Sequence, residues 1–190
     1  MGKHQEKIIT SFLVFCVLLA IGYFQASQNK TAATASNTPG PEVSASSTAG
    51  HLGVRTKFAN CIITAGVQDF DCTPGAVIAG VTKDQVCTPG YATSVRNVPE
   101  SEKNAAYQEY GIMSHYSGEY EVDHLISLEL GGSNDIANLW PEAAEPQPGF
   151  HEKDKVENYL HGQVCNGTIS LQEAQLEISQ HWLEVYNRIK

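Results

Sequence analysis

Tyr120-Glu121-Val122-Asp123-His124-Leu125-Ile126-Ser127-Leu128-Glu129-Leu130-Gly131-Gly132-Ser133-Asn134-Asp135-Ile136-Ala137-Asn138-Leu139-Trp140-Pro141 is the stretch that decides the fold. Residues 120–123 read as a short strand, and residues 137–140 as a second strand that Pro141 ends, because proline cannot donate to a strand ladder. Between them, Leu125, Ile126, Leu128 and Leu130 are the apolar packing of a connecting loop. Gly131 and Gly132 permit the backbone conformations that turn it back. Neighbouring side chains of a regular strand point to opposite faces. At a strand end both can border one cavity, so the adjacent Asp123 and His124 are where chemistry is expected.

Outward from this stretch the pattern becomes helical. Past Pro141, Pro146 and Pro148, the residues Val156, Tyr159, Leu160 and Val164 recur at helical spacing, which predicts a helix over 151–163 with these four facing inward. Ser170 with Glu173 three positions on is a capping box. It opens a last helix whose buried stripe is Ala174, Ile178, Trp182 and Val185, with Gly167 in the intervening turn. Upstream, Ser101 caps a short helix over 102–110 that Gly111 stops. Cys72-Thr73-Pro74-Gly75 recurs as Cys87-Thr88-Pro89-Gly90, which predicts a hairpin or loop over 76–86 pinned at both ends. The domain is therefore α+β, with helices gathered after the strands.

With the Asp-His pair, the Gly-Gly turn and Asn138 fourteen positions after His124, the stretch resembles the HNH endonucleases. The resemblance implies a ββα-metal core, here preceded by a helix and hairpin segment and followed by two C-terminal helices. It implies His124 as the general base, Asn138 as the residue that fixes the loop and the angle of the histidine, and Asp123 as a ligand of one divalent cation. The second ligand would come from the following helix: His151 first, with Asp154 and then Asn158 as alternatives. Magnesium is the default ion, and manganese, nickel or zinc are admitted by a carboxylate and imidazole pair. Lys153 and Lys155 are the expected substrate contacts. The implied activity is metal-dependent endonucleolytic hydrolysis of nucleic acid, DNA ahead of RNA, with low sequence specificity because nothing resembles a base-reading module. The alternative is a catalytically inactive, disulfide-stapled binding domain of the same fold. Many members of the family brace the site with Cys-x-x-Cys zinc pairs, and this chain contains none.

The rest of the 190 residues bounds where such a site works. Lys3 and Lys7 precede an uncharged apolar run over residues 8–24, so residues 1–24 read as a signal anchor or a signal peptide. Residues 25–50, rich in Ser, Thr, Ala and Pro, read as a flexible tether. Residues 51–190 form the folded domain, expected on the non-cytoplasmic side, membrane-anchored or secreted, with no protein partner expected. Four cysteines fall in that domain, Cys61, Cys72, Cys87 and Cys165, and an even number in an exported domain predicts two disulfides. Three pairings are possible, with Cys61–Cys72 or Cys72–Cys87 favoured as local. Lysine and arginine total 12 less Lys3, Lys7 and Lys30, and carboxylates 21 less Glu6 and Glu42, giving nine against nineteen and a domain charge of −10. A protein that holds nucleic acid by neutralising phosphates normally carries a basic face. The domain must therefore rely on a bound cation and a local cluster, for which Lys153, Lys155 and Arg188 are the candidates.

Overall fold

A computed structural model describes residues 52–190; the apolar run and the tether expected before them lie outside the described residues. The fold is mixed α+β. A loop-rich segment leads into helices α1 (Lys83–Val86), α2 (Tyr91–Val95) and α3 (Glu100–Glu109). An antiparallel pair follows, β1 (Tyr120–His124) and β2 (Leu139–Ala143), and then α4 (Phe150–Cys165) and α5 (Leu171–Ile189). Among the described residues no helix is long and apolar enough to cross a membrane.

The hairpin pairs Asp123 with Trp140, Val122 with Pro141 and Glu121 with Glu142. Pro141 does not end the second strand, and the reason is the phase of the ladder. Leu125 N–H donates to Asn138 O at 2.8 Å, and Ala144 N–H to Glu119 O at 2.9 Å. Hydrogen-bonded pairs alternate with non-bonded ones in an antiparallel ladder, so Val122–Pro141 is a non-bonded pair. The proline nitrogen faces away from β1, where its missing hydrogen costs nothing. The strand continues to Ala143 and brings Glu142 into the sheet.

The connection between the strands packs as expected. Leu125, Ile126, Leu128 and Leu130 are all buried. Gly131 takes φ +76°, the left-handed region that favours glycine, and a Cβ at Gly132 would lie 1.7 Å from the Ile126 carbonyl oxygen. The backbone closes on itself at a distance that no side chain permits.

Helix α3 begins at Glu100, with Pro99 in the capping position and no side-chain cap from Ser101. The carbonyl of Pro99 accepts from Glu102 and Lys103 N–H, while Glu100 and Glu102 place negative charge on the positive end of the helix. Residues 76–86 form no hairpin. They run past Gly132, to which Val77 is bridged, turn at Ala79-Gly80 and enter α1 through a capping box of Thr82 and Gln85.

The main core joins Ile126 and Leu130 of the connection to Val156, Leu160 and Val164 of α4 and to Ala174, Ile178, Trp182 and Val185 of α5. Tyr159, expected inward, is 42% exposed. The buried stripe of α4 runs Phe150, Lys153, Val156, Leu160, Val164, and Tyr159 lies about 100° around the helix from Leu160. The capping box at Ser170 and the stripe of α5 are as read from sequence. A second core beside the hairpin joins Cys61, Cys72, Tyr110, Leu125 and Trp140.

The disulfides are Cys61–Cys72 and Cys87–Cys165. The first is one of the two local pairings expected, and Cys72–Cys87 does not form. Cys87–Cys165 ties α1 to the end of α4 across 78 residues. Loop closure in the unfolded chain costs more for a longer loop. Replacing Cys87 and Cys165 by serine should therefore lower the melting temperature more than replacing Cys61 and Cys72, as calorimetry of the two double variants would show.

Candidate active site

His124 closes β1, buried to 3% exposure. Its Nε2 lies 3.2 Å from Asn134 Oδ1. The orientation of that amide is fixed independently: Asn134 Nδ2 donates to Val95 O at 2.8 Å, and Asn97 N–H donates to Asn134 Oδ1 at 3.1 Å. The atom facing the imidazole is thus an acceptor, so Nε2 carries the hydrogen and Nδ1 keeps its lone pair. Burial pushes the pKa of His124 below the ordinary histidine value, and the nearby cations Arg96 and Lys153 push the same way, against the opposing pull of Asn134 and Asp123. A buried, neutral imidazole with a fixed tautomer results.

Asn138 is fully buried at the foot of β2. Its Oδ1 accepts from Ile126 N–H at 2.9 Å and from Ala76 N–H at 3.3 Å, and its Nδ2 donates to Ile126 O and Ser133 O, both at 2.9 Å. One side chain therefore ties the connection after His124 to itself and to the upstream segment. Asn138→Ala would leave these backbone groups unpaired in the interior. It should cost about 2–3 kcal/mol of stability, measurable as a lower urea midpoint with unchanged slope.

Lys153 is not a surface cation. It is 0% exposed, and its Nζ donates to Asp123 Oδ2 at 2.5 Å, to His124 O at 2.9 Å and to the Glu157 carboxylate. The expectation that it contacts substrate is overturned: its position in the stripe of α4 turns it under the hairpin. Burial by itself would lower the pKa of this ammonium; Asp123, Glu157 and Glu142 more than offset that and hold it above its ordinary value. Lys155 points elsewhere, paired with Glu152 at 3.1 Å and lying over the Tyr186 ring. Arg188 is paired with Glu177 at 2.7 Å. The expected cluster of Lys153, Lys155 and Arg188 does not assemble.

Glu142 is one of the site residues that the sequence reading missed, with Asn134 and Glu157. Cross-strand to Glu121 and beside Asp123, it is 1% exposed, and neither carboxylate oxygen meets an N–H or O–H donor. Burial raises its pKa well above the carboxylate range, and repulsion from Asp123 and Glu157 adds to this against the pull of Lys153. A protonated Glu142 becomes a donor toward Asp123, whose own carboxyl is held in the ionised form by Lys153 despite burial. Glu157 is pushed up to about 7, again by burial first.

His151 stands in the first turn of α4, exposed, with its ring 4.3 Å from that of Phe150. Asp154, on the same helix, and Glu121, on β1, have carboxyls raised by burial and by the charge of Asp123, each moderated by His151. These groups lie within electrostatic reach of Asp123. Their donor chemistry, carboxylate oxygens with one imidazole, fits a hard divalent cation held by few protein ligands and completed by water. The local surplus of carboxylates over Lys153 fits it too, and Asp123 retains 19% side-chain exposure beside its ion pair. The donors do not form a closed cage. Among the described residues the one group of three close ligand atoms is Cys87, His161 and Cys165, and its two sulfurs are joined to each other.

Trp140 is a packed aromatic at 1% exposure. His115 is a loop residue stacked on Tyr107 at 4.4 Å. No protein-family model, no curated protein and no solved structure matches this chain.

Proposed function

We propose that the chain is a metal-dependent phosphodiester hydrolase acting on nucleic acid, with the β1–β2 hairpin and the start of α4 as an HNH-type ββα-metal site. The observation that carries this reading is His124: buried, neutral, and held by Asn134 in the tautomer that leaves Nδ1 as its basic atom. A general base needs a free lone pair at neutral pH and a fixed direction, and this residue has both.

In the reaction, Nδ1 of His124 takes a proton from water as the water oxygen attacks phosphorus. The bond from phosphorus to the bridging oxygen on the opposite side breaks, and that oxygen leaves with the electron pair and is protonated from solvent. Asp123, with His151 or Asp154, would hold the divalent cation, whose charge, when bound, stabilises the phosphate and the leaving oxygen. Asn138 positions the loop that carries His124. Lys153 holds the Asp123 carboxylate and the His124 carbonyl in one arrangement, so the base and the ligand keep a fixed separation.

The test is incubation of the full chain with supercoiled plasmid in magnesium or manganese and in EDTA. Nicking with metal that EDTA abolishes is the expected result. A folded protein that cuts with none of magnesium, manganese, nickel or zinc would leave the disulfide-stapled binding domain as the correct reading.

A further inference from the structure

The acidic domain needs a cation at the scissile phosphate, and the two lysines read as substrate contacts are committed elsewhere. Of the nine lysines and arginines from residue 51 onward, Arg55, Lys57, Lys103, Lys153, Lys155 and Arg188 are each paired with a carboxylate. Lys83, Arg96 and Lys190 have no carboxylate partner among the described residues. Arg96 is the one built into the site. Its backbone N–H donates to Ala92 O at 3.1 Å at the end of α2. The residues on either side, Val95 through its carbonyl and Asn97 through its N–H, are both bonded to the side chain of Asn134. That same side chain contacts His124 Nε2. One asparagine thus fixes the base and the backbone under Arg96 together, while the guanidinium itself is exposed.

We propose that Arg96 is the phosphate-binding residue of this site, gripping the non-bridging oxygens of the phosphodiester that His124 serves. This assignment rests on the hydrolase reading above. A guanidinium presents a planar fork that matches two phosphate oxygens, and an unpaired one carries no competing carboxylate to displace. The backbone that carries it is held beside the base by the hydrogen bonds of Asn134 to Val95, Asn97 and His124.

The experiment measures binding of a short fluorescein-labelled DNA duplex to the full chain in EDTA across a salt series, beside plasmid cleavage in magnesium. Wild type, Arg96→Ala, Arg96→Lys and Lys83→Ala are compared, the last removing an exposed, unpaired cation elsewhere. Arg96→Ala should weaken binding about tenfold and reduce the magnitude of the slope of log affinity against log salt by about 0.9. Arg96→Lys should fall between, keeping the charge without the fork, and Lys83→Ala should bind like wild type. If wild type binds and cuts while Arg96→Ala binds equally well, or while Lys83→Ala loses as much, the assignment is overturned and the hydrolase reading stands. If wild type binds but never cuts, and Arg96→Ala alone loses affinity, Arg96 is upheld as the phosphate contact and hydrolysis is rejected. A wild type that neither binds nor cuts overturns both.

Discussion

His124→Ala should lower the plasmid-cleavage rate at neutral pH by about 10²–10⁴-fold, the range that a positioned general base contributes, with the fold intact by circular dichroism. The imidazole makes one side-chain hydrogen bond, to Asn134, and that amide keeps two backbone partners when the ring is removed. The loss therefore falls on the reaction more than on the structure. The pH dependence gives a second, independent reading. Only the neutral ring can accept a proton, and burial sets its pKa below the ordinary histidine value. Activity should rise as pH increases through a pKa below about 6.5 and be level by pH 7. Cleavage by His124→Ala at the wild-type rate, or a wild-type acid limb centred above pH 7, would remove the residue from the base role.

The parts of this site that were legible in sequence are those fixed by local spacing. Asp123 and His124 at a strand end and the Gly131-Gly132 turn are where the pattern puts them, whereas Asn138, expected inside the second strand, ends a 3-10 turn over Ile136–Asn138 just before it. The stripe and cap of α5 follow from the same kind of rule. Two misreadings had local causes too. Pro141 was read as a stop because its ring removes a donor, but the hydrogen-bonding phase of β2 decides whether the donor is missed. Ending the strand there hid Glu142. Lys153 precedes Val156 by three positions, which places it on the buried stripe of α4, and its charge masked that spacing. Arg96 and Asn134 carry no such signal. They are 38 positions apart, and what joins them to His124 is a tertiary frame that only the folded backbone creates.

Lys153→Met should destabilise the domain by about 3–5 kcal/mol, the usual cost of removing one partner from a buried ion pair. Methionine matches the length of the lysine stem, so the packing of α4 is preserved and the loss reports charge. In the native fold one ammonium compensates Asp123 and Glu157 directly, with Glu142 close by. Without it, three largely buried carboxylates lie together, and they can persist there only by taking up protons. The sign of the pH dependence follows. Glu157 is already raised to about 7 with Lys153 present, and losing the ammonium raises it further. An unfolded glutamate titrates near 4.3, so between that pH and the raised folded value the native state binds more protons than the unfolded one. Stability must then fall as pH rises through this window. The defect of Lys153→Met should accordingly be smaller at pH 5 than at pH 8 in urea titrations, and Glu157→Gln in the same chain should recover part of it. A defect that is below about 0.5 kcal/mol, the range of an ordinary surface change, or that is the same at both pH values would show that Lys153 is not the counter-charge of this cluster. The arrangement of Asp123 would then need another support.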